Sequence, residues 1–564
     1  MNNKISYPIP KAKIEDFKMK SMTRWYNVKQ LAATGLKSII SATFGSYADR
    51  REIQAAISGN ESFDYSSEED LWVDYVADLG DGFNSTFTVA SLLAESSLTN
   101  EGLDLPRGRV LIMGGDQVYP FAKREYYEER MGVPYEIAFP KCEEDSSAPH
   151  LFAIPGNHDW YDGLANFLKI FCQERAIGNW RSQQHRSYFA IKLSANLWLW
   201  GIDIQLEADI DRPQLMYFEK ISKQITAGSN IILCNALPSW SFAGDKKKKS
   251  YHNLSFFEKK YIVEKGFRLV LSLAGDEHCY ARYTGSDSIG PFHKIIAGGG
   301  GAFLQPTHNM KGKIEDIREG AMKLEKTFPS KETSYRMLFL NMLFPFKNPD
   351  FVVFMGMFYL FLSWMLQSAS LYRPIFPKLS KILPAIVNVE PAFEKILQVI
   401  LYNPSLLILV LAVVLGMVAF ADKHAGRLPF AYTASIIHGL GHIFLGLLLM
   451  WLLSYVNFNG EKYNLSTISL FSLEMFLIGG FLGSLLLGIY LMTCNLVGLH
   501  NKEAFSSLRG TGYKNFLRMH ITKDKLTIYP IGIEHAVSWK REGNNIVGIK
   551  PEYKPIETPL EIWL

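Results

Sequence analysis

Hydrophobic and polar positions divide the chain into two parts of opposite character. From about residue 67 to residue 310, short apolar runs alternate with loops rich in Asp, Gly, Asn and His. This pattern predicts buried strands that end in polar loops. From about residue 350 to residue 500, Leu, Phe, Val, Ile, Met and Gly dominate and charges are scarce. The sequence therefore predicts a strand-rich soluble region followed by a membrane region.

Four segments of the second part are apolar enough for transmembrane helices, which need about 20 residues to cross a bilayer. Four such segments in succession, separated by short polar loops, favour membrane spans over buried core helices. The segments run over about Phe351–Leu371, Pro404–Ala421, Ala431–Val456 and Ile468–Leu496.

An even number of spans places the soluble region and the C-terminal tail on the same side of the membrane. Lys and Arg are modestly more frequent on that side, which favours a cytosolic location. The first twenty residues lack the apolar core of a secretory signal, and the five cysteines form no CxxC pair. We therefore expect an integral membrane protein with a cytosolic soluble domain.

Three ionisable residues lie within the predicted spans. His438 and His442 are four residues apart and share one face of the third span, and Glu474 lies near the start of the fourth. Ionisable groups at this depth are costly and often functional. Alternatively, they bond to each other or to backbone carbonyls and fix the packing of the helices. We favour this second interpretation.

Polar side chains follow successive apolar runs of the soluble region. Because ligands gather at the strand ends of an open sheet, we expect these side chains to lie close together. Carboxylate, amide, phenol and imidazole groups are ligands for hard or borderline cations. The residues concerned are Asp78, Asp116, Tyr119, Asn157, His158, Asn235, Asp276 and His278.

The motif series resembles that of the calcineurin-like metallophosphoesterases, and in two details the purple acid phosphatase branch, which carries GDxG, GDxxY, GNH(D/E), VxxH and GHxH. The resemblance covers about residues 67 to 310. A GGGGAFL-PTH segment at Gly298–His308 also resembles one in an uncharacterised membrane-linked group. The matching motifs are ADLG at Ala77–Gly80, GDQVY at Gly115–Tyr119, GNHD at Gly156–Asp159 and GDEH at Gly275–His278.

The resemblance implies a site for two metal ions. The implied ligands of the first ion are Asp78, Asp116, Tyr119 and His278. Asp116 would bridge to a second ion, which Asn157 would also bind. His158 would contact the phosphate or protonate the leaving oxygen, with Asp159 orienting its ring.

Two positions depart from the family pattern. Asp276 stands where the first His of GHxH is usual, and NALP at Asn235–Pro238 occupies the VxxH place without a His. The second site, with Asp276 among its donors, is then an oxygen-only site that prefers Mg, Mn or Fe over Zn. We expect two divalent or trivalent ions, Fe and/or Mn, with Mg as an alternative at the second site.

The expected fold is α/β, with four regions. These are an amphipathic N-terminal extension over residues 1–66, a two-sheet metallophosphoesterase sandwich with flanking helices over 67–330, a transmembrane bundle of about four helices over 331–500, and a β-rich tail over 501–564 that packs on the soluble domain.

The expected activity is metal-dependent hydrolysis of a phosphomonoester or phosphodiester, either lipid-linked or a nucleotide, beside membrane lipids. A net charge of +4 and the lack of any nucleic-acid-binding motif argue against a nucleic-acid partner. Two alternatives stay open. One is a catalytically weak regulator that senses metal or phosphate on the same fold, and the other is a transport protein with an accessory domain.

Overall fold

The computed structural model describes residues 4–44, 62–100, 102–142, 147–204, 209–242, 249–316, 320–369, 400–422, 427–458 and 464–564. The chain forms two compact units. The sheet unit contains Met1–Thr23, Ala33–Tyr335 and Arg509–Leu564. The helical unit contains Arg24–Ala32 and Arg336–Leu508.

The strands of the chain belong to the sheet unit, and most of their residues are buried, as the apolar runs predict. They are β1 (Lys4–Pro8), β2 (Phe63–Asp64), β3 (Leu71–Val76), β4 (Ser97–Asn100), β5 (Leu103–Pro106), β6 (Val110–Met113), β7 (His150–Ala153), β8 (Ala176–Ile177), β9 (Trp180–Ser182), β10 (Phe189–Ser194), β11 (Leu197–Ile202), β12 (Asn230–Asn235), β13 (Arg268–Ala274), β14 (Tyr280–Ser286), β15 (Pro291–Ala297), β16 (Lys313–Glu315), β17 (Ala321–Phe328), β18 (Lys514–Ile521), β19 (Lys525–Ile533), β20 (Lys540–Glu542), β21 (Asn545–Ile549), β22 (Lys554–Pro555) and β23 (Leu560–Trp563).

Two nine-stranded sheets make the sheet unit mixed α/β. The first sheet has the order β16-β17-β14-β15-β13-β12-β11-β10-β2, and the second has the order β22-β19-β18-β3-β6-β7-β9-β8 with β23 on β19. The runs β11-β12-β13-β15 and β3-β6-β7-β9 are parallel. Since parallel strands have their carboxyl ends at one edge, the loops that follow them gather there.

Each sheet is buried on both faces. On β3, Val73 and Tyr75 join an apolar cluster that also contains Ile232 of the first sheet. Val76 points the other way and joins a cluster with Phe87, which lies on a helix. This alternation follows from the two-residue period of a strand. The sheet unit is therefore a sandwich of two sheets with helices outside.

The helices before residue 340 lie between these strands or follow them. They are α1 (Val28–Phe44), α2 (Phe83–Ala94), α3 (Arg124–Tyr126), α4 (Val133–Ala138), α5 (Ala165–Phe171), α6 (Arg212–Ser222), α7 (Lys249–Phe257) and α8 (Lys331–Leu338). Phe87 of α2 packs on the outer face of the second sheet, and Phe218 of α6 packs with the first sheet.

The C-terminal tail adds strands to the second sheet. β18 pairs antiparallel with β3 on one side and with β19 on the other. Arg518 and Asp74 face each other in the register of this pair, with Nε–Oδ1 and Nη2–Oδ2 distances of 2.7 and 2.9 Å. Both side chains are buried. Residues at the two ends of the chain therefore build one sheet.

In the part of the helical unit that the structure describes, four apolar helices make up most of the chain. Three of them are long and apolar enough to cross a membrane, over Pro349–Leu366, Leu428–Asn457 and Leu465–Leu496. The helices after residue 340 are α9 (Phe344–Lys347), α10 (Pro349–Ala369), α11 (Pro404–Phe420), α12 (Leu428–Phe458), α13 (Leu465–Leu496) and α14 (Asn501–Ser506).

The expected number of four long spans is corrected to three within the described residues. The second predicted segment forms α11, which has 17 residues and is shorter than the other three. Pro404 lies in its first turn, and Ala421 leaves the helical conformation with a ψ of 134°. Residues 370 and 371, at the end of the first predicted segment, lie outside the described residues.

Candidate metal centre

The candidate site lies in the loops that follow strands β3, β6, β7 and β13. Four candidate ligands in these loops have positive φ angles: Asp78 at 59°, Asp116 at 50°, Asp276 at 63° and His278 at 28°. This conformation is uncommon for residues other than glycine, and such strain clusters at functional sites. The backbone conformation of these loops thus sets the directions in which these side chains point.

Two motif glycines allow the carboxylates to pack against backbone. A Cβ atom at Gly156 would lie 2.0 Å from Oδ1 of Asp116, and one at Gly298 would lie 2.1 Å from Oδ2 of Asp78. Both distances are far below van der Waals contact. Any side chain at these positions would therefore displace a predicted metal ligand.

Four predicted ligands of the first ion come together. Asp78, Asp116 and His278 each offer a ligand atom, these atoms lie within 4.8 Å of one another, and all three residues are buried. The hydroxyl of Tyr119 lies 3.3 Å from Oδ1 of Asp78, 3.0 Å from Oδ2 of Asp116 and 2.9 Å from Nε2 of His278. The set of two carboxylates, a phenol and an imidazole fits a transition-metal ion.

The imidazole of His278 is held for ligation by a backbone carbonyl. Its Nδ1 lies 2.8 Å from the carbonyl oxygen of Phe303, which can only accept a hydrogen bond. The proton is therefore on Nδ1, and Nε2 faces the site with its lone pair. This is the arrangement that orients metal-binding histidines in proteins.

The glycine-rich segment supports the first ligand set from behind. The amide of Gly300 donates to the Ala77 carbonyl at 2.8 Å, and the amide of Ala302 donates to the Asp78 carbonyl at 3.0 Å. The same segment supplies the Phe303 carbonyl. Its close approach to the Asp78 loop requires residues without a Cβ, which the sequence pattern alone did not reveal.

A second set of oxygen atoms lies beside the first. Oδ1 of Asn157 lies 3.2 Å from Oδ2 of Asp116 and 3.3 Å from Oδ1 of Asp276. With the amide rotated, its nitrogen would instead donate to both carboxylates. In the orientation without rotation, the oxygens of Asn157, Asp116 and Asp276 meet without a hydrogen-bond donor between them. A hard cation binds such a group of oxygens, which gives this orientation a physical explanation. These residues fit a second ion.

His158 lies on the more open side of these ligands and is partly exposed. Its backbone amide donates to Oδ1 of Asp116 at 2.9 Å. Its Nδ1 lies 3.0 Å from the carbonyl oxygen of Pro120. Nδ1 therefore carries a proton, since a carbonyl oxygen can only accept a hydrogen bond.

The carboxylate of Asp159 is fully buried beneath the same loop. It accepts hydrogen bonds from the amides of Gly156 and Gln117, and from the hydroxyl of Tyr127. These contacts brace the loop that carries Asn157. The orienting role that the resemblance implies for Asp159 stays a prediction.

Burial raises the pKa values of two carboxylates in this region, Asp116 and Asp159. Burial is the largest cause that raises the pKa of Asp116, and the charge of Asp276 adds to it. Burial and the nearby Asp116 charge raise the pKa of Asp159 to about 8. A bound cation would act in the opposite direction and favour the charged forms. The electrostatics of the site therefore suit a cation.

Two further residues, Lys514 and Asn235, belong to neither ligand set. Lys514 of the tail is fully buried and donates to the Ala302 carbonyl. Burial lowers the pKa of Lys514 to about 8, against the charges of Asp81 and Asp78. Asn235 ends β12, and its amide nitrogen donates to the Leu237 carbonyl. No contact described for Asn235 joins it to either ligand set.

No family model matches the chain, and no curated protein matches it. The solved structures that are similar in part include these three. One is GAP50, the anchor in the inner membrane complex of Plasmodium, at 12% identity and a TM-score of 0.32. Another is purple acid phosphatase PPD1 from yellow lupin (Lupinus luteus) seeds, at 14% identity and a TM-score of 0.30. The third is PhoD, at 9% identity and a TM-score of 0.28.

These similarities are weak and partial. They cover 45%, 43% and 42% of this chain in the same order. They cover 78% of GAP50, 46% of the lupin phosphatase and 59% of PhoD. The chain thus spans less than two thirds of the last two proteins. An assignment of activity therefore depends on the site of this chain alone.

Proposed function

We propose that the protein is a membrane-anchored, metal-dependent phosphoesterase. The observation that carries this proposal is that Asp78, Asp116, Tyr119 and His278 meet at one buried point. The ligand atoms of the two Asp and the His lie within 4.8 Å of one another. A buried group of this kind is costly unless a cation compensates its charge. The chemistry of the donors matches that of the metallophosphoesterases, which the motif series resembles.

Asp116 lies between the two ligand sets and would bridge them. Asp78, Tyr119 and His278 would complete the coordination of the first ion. Asn157 and Asp276 would complete the coordination of the second. Two ions bound by these residues would supply a hydroxide nucleophile and stabilise the charge on the phosphoryl oxygens. Fe or Mn suits the first set, and Mn, Fe or Mg suits the oxygen-only second set.

His158 has the geometry of the group that protonates the leaving oxygen. The Pro120 carbonyl occupies Nδ1, which leaves Nε2 to give a proton to the departing alkoxide. The backbone amide of His158 is tied to Asp116, so the ring is held at a set distance from the bridging carboxylate. The substrate would be a phosphomonoester or phosphodiester, either lipid-linked or a nucleotide.

Changing His158 to Ala should separate catalysis from metal binding. We expect hydrolysis to fall by about 10²- to 10⁴-fold, the usual contribution of a general acid. Metal content should stay within experimental error because the imidazole is not in either ligand set. The measurement uses the full chain in detergent, loaded with Mn²⁺, against monoester and diester substrates, with metal counted by elemental analysis.

The matched control is His185→Ala, a partly exposed histidine whose ring lies 3.5 Å from Glu174. It should leave both readouts unchanged. If wild-type protein loaded with Mn²⁺, Fe²⁺ or Mg²⁺ hydrolyses none of the substrates, the enzyme proposal is wrong. Metal binding without turnover would instead support the regulator that senses metal or phosphate.

The sheet pairing sets a condition on how the chain crosses a membrane. β3 lies before the helical unit and β18 lies after it, and the two strands are neighbours in one sheet. Both therefore lie on the same side, and the helices between them must cross an even number of times. With three long helices among the described residues, one more crossing is needed. We assign it to α11, the shorter apolar helix, whose 17 residues extend about 26 Å.

A cysteine-labelling experiment tests this topology in a Cys142→Ser background. Tyr402 before α11 and Asn464 before α13 are exposed and are replaced one at a time by Cys. We expect a membrane-impermeant maleimide to label both in intact cells. The native exposed Cys142 of the sheet unit, in a separate sample, should react only after permeabilisation if that unit is cytosolic. If the cysteine at position 402, like Cys142, reacts only after permeabilisation, a crossing by α11 is excluded.

A further inference from the structure

A buried group of polar rings lies inside the helical unit. His438 and His442 lie on α12, are 5% exposed each, and face Tyr359 of α10 and Tyr490 of α13. The Nε2 atoms of the two histidines are 3.1 Å apart. Polar groups are expensive in an apolar bundle, so four rings gathered at one level require an explanation.

The two imidazoles do not meet as a straight hydrogen bond requires. If both rings pointed along the line between their Nε2 atoms, the ring centroids would be roughly 5.4 Å apart. The observed centroid distance is 4.5 Å, with the ring planes at 77°. At least one nitrogen is therefore turned away from the other. Two nitrogens that approach obliquely are typical of two ligands to one ion.

The spacing also agrees with metal coordination. Two imidazole nitrogens, each about 2.0 to 2.1 Å from a tetrahedral ion, lie about 3.3 Å from each other. The observed separation of 3.1 Å is close to this value. Histidines at positions i and i+4 of a helix are a recurrent pair of zinc ligands because they share one face.

The other nitrogen of His442 is held in the manner of a metal ligand. The hydroxyl of Tyr359 lies 2.8 Å from Nδ1 of His442. A hydroxyl oxygen that accepts the Nδ1 proton leaves Nε2 as a bare donor for an ion. Tyr359 is itself fully buried, so its ring cannot move aside without disturbing the packing of α10.

Tyr490 closes the opposite side of the pair. Its ring stacks on His438 with a centroid distance of 4.3 Å and an interplanar angle of 23°. Its hydroxyl lies 2.9 Å from Oγ of Ser435 and 3.0 Å from Nε2 of His500. This phenol oxygen is therefore positioned by two polar groups.

Glu474 takes no part in this group among the described contacts. Its Oε2 accepts from the amide of Asn457 at 2.5 Å. A pair of imidazoles without a carboxylate disfavours Mg²⁺ and Ca²⁺, which prefer oxygen ligands. Imidazole suits Zn²⁺, Cu²⁺, Ni²⁺ and Fe²⁺.

We propose that His438 and His442 form a separate metal site in the helical unit, which binds a borderline transition-metal ion such as Zn²⁺. The ligands are the two Nε2 atoms, and Tyr359 orients His442 through its Nδ1. The site differs in chemistry from the oxygen-rich centre of the sheet unit. It therefore does not depend on whether that centre hydrolyses phosphoesters.

The test compares Zn²⁺ binding by the full chain in detergent with that of His438→Ala/His442→Ala, using competition with a chromophoric chelator. We expect the double variant to bind one ion fewer per chain, with hydrolysis unchanged if the protein is an enzyme. Tyr359→Phe should lower the affinity for that one ion by about 10- to 100-fold, the usual effect of losing an orienting hydrogen bond. Tyr455→Phe, on an exposed face of α12, is the control and should bind as wild type.

Co²⁺ provides an independent readout, because a site with imidazole ligands gives visible d–d absorption that changes when one is lost. The proposal is overturned if the double variant binds as many ions as the wild type. It is also overturned if Tyr359→Phe and Tyr455→Phe have equal affinities. In either case the two histidines are a structural pair that fixes helix packing. Should the double variant fail to fold, the comparison of the two tyrosine variants still decides.

Discussion

Replacement of Asp116 by Asn is expected to abolish the proposed hydrolysis, with a loss of at least about a thousandfold, and to remove the stabilisation by added metal. The Asp116 carboxylate contacts side chains of both ligand sets, at 3.0 Å from the Tyr119 hydroxyl and 3.2 Å from the side-chain amide of Asn157. The change preserves shape and removes the bridging charge. Asn also tolerates the positive φ of 50° at this position, so the loop keeps its conformation.

Thermal denaturation of the sheet unit separates the loss of metal from the loss of folding. At 100 times the dissociation constant, an ion stabilises the folded state by about 2.7 kcal/mol. We expect Mn²⁺ to stabilise the wild-type protein by this amount and to stabilise Asp116→Asn by much less. Without metal the variant should be at least as stable as wild type, because burial and Asp276 raise the pKa of Asp116 and make its charge unfavourable.

Asp104→Asn is the matched control, since Asp104 is an exposed carboxylate on β5. It should keep full activity and the full response to Mn²⁺. Substantial turnover by Asp116→Asn would contradict the bridging role. A variant that unfolds without metal would show that Asp116 supports the loop rather than an ion.

The second large effect is expected on stability, from Arg518→Leu in the tail. Arg518 is fully buried, binds both carboxylate oxygens of Asp74 and donates to the Leu105 carbonyl. Its loss leaves the Asp74 charge buried without its partner, which costs about 3 to 5 kcal/mol. Because β18 lies beside β3, we also expect weaker metal binding at Asp78, which follows β3.

The double variant Asp74→Leu/Arg518→Leu distinguishes a lost pair from an orphaned charge. Replacing both partners by apolar groups is often close to neutral, so it should recover most of the stability. The surface pair of Lys525 and Glu561, at 2.8 Å, is the control, and Lys525→Ala should cost less than about 1 kcal/mol. Equal effects of Arg518→Leu and Lys525→Ala on the melting temperature would refute the argument.

Short-range pattern was enough to predict the main features of the site. Each candidate ligand follows an apolar strand run, and parallel strands bring their carboxyl ends to one edge whatever the details of packing. The resemblance of the motif series then selected Asp78, Asp116, Tyr119 and His278 among these residues, so their approach could be predicted before any distance was known. The apolar segments of the helical unit were equally evident, since composition over about 20 residues is a local property.

Local pattern could not predict the residues that support the site. The Phe303 carbonyl behind His278 has no side-chain signature, and Lys514 reaches the site from the other end of the chain. The pairing of β18 with β3 joins residues 444 positions apart, as Arg518 and Asp74 show. Which strands become neighbours depends on the whole sandwich, because both faces of each sheet must be buried at once.

Sequence periodicity and residue chemistry thus specified the strands, the apolar helices and the ligand types, because these depend on neighbours along the chain. The tertiary structure decided the rest. It gave the sheet order, limited α11 to 17 residues, and turned His438 and His442 toward Tyr359 and Tyr490. These features arise from packing between distant segments, where burial and close contact select one arrangement among many that the same local pattern allows.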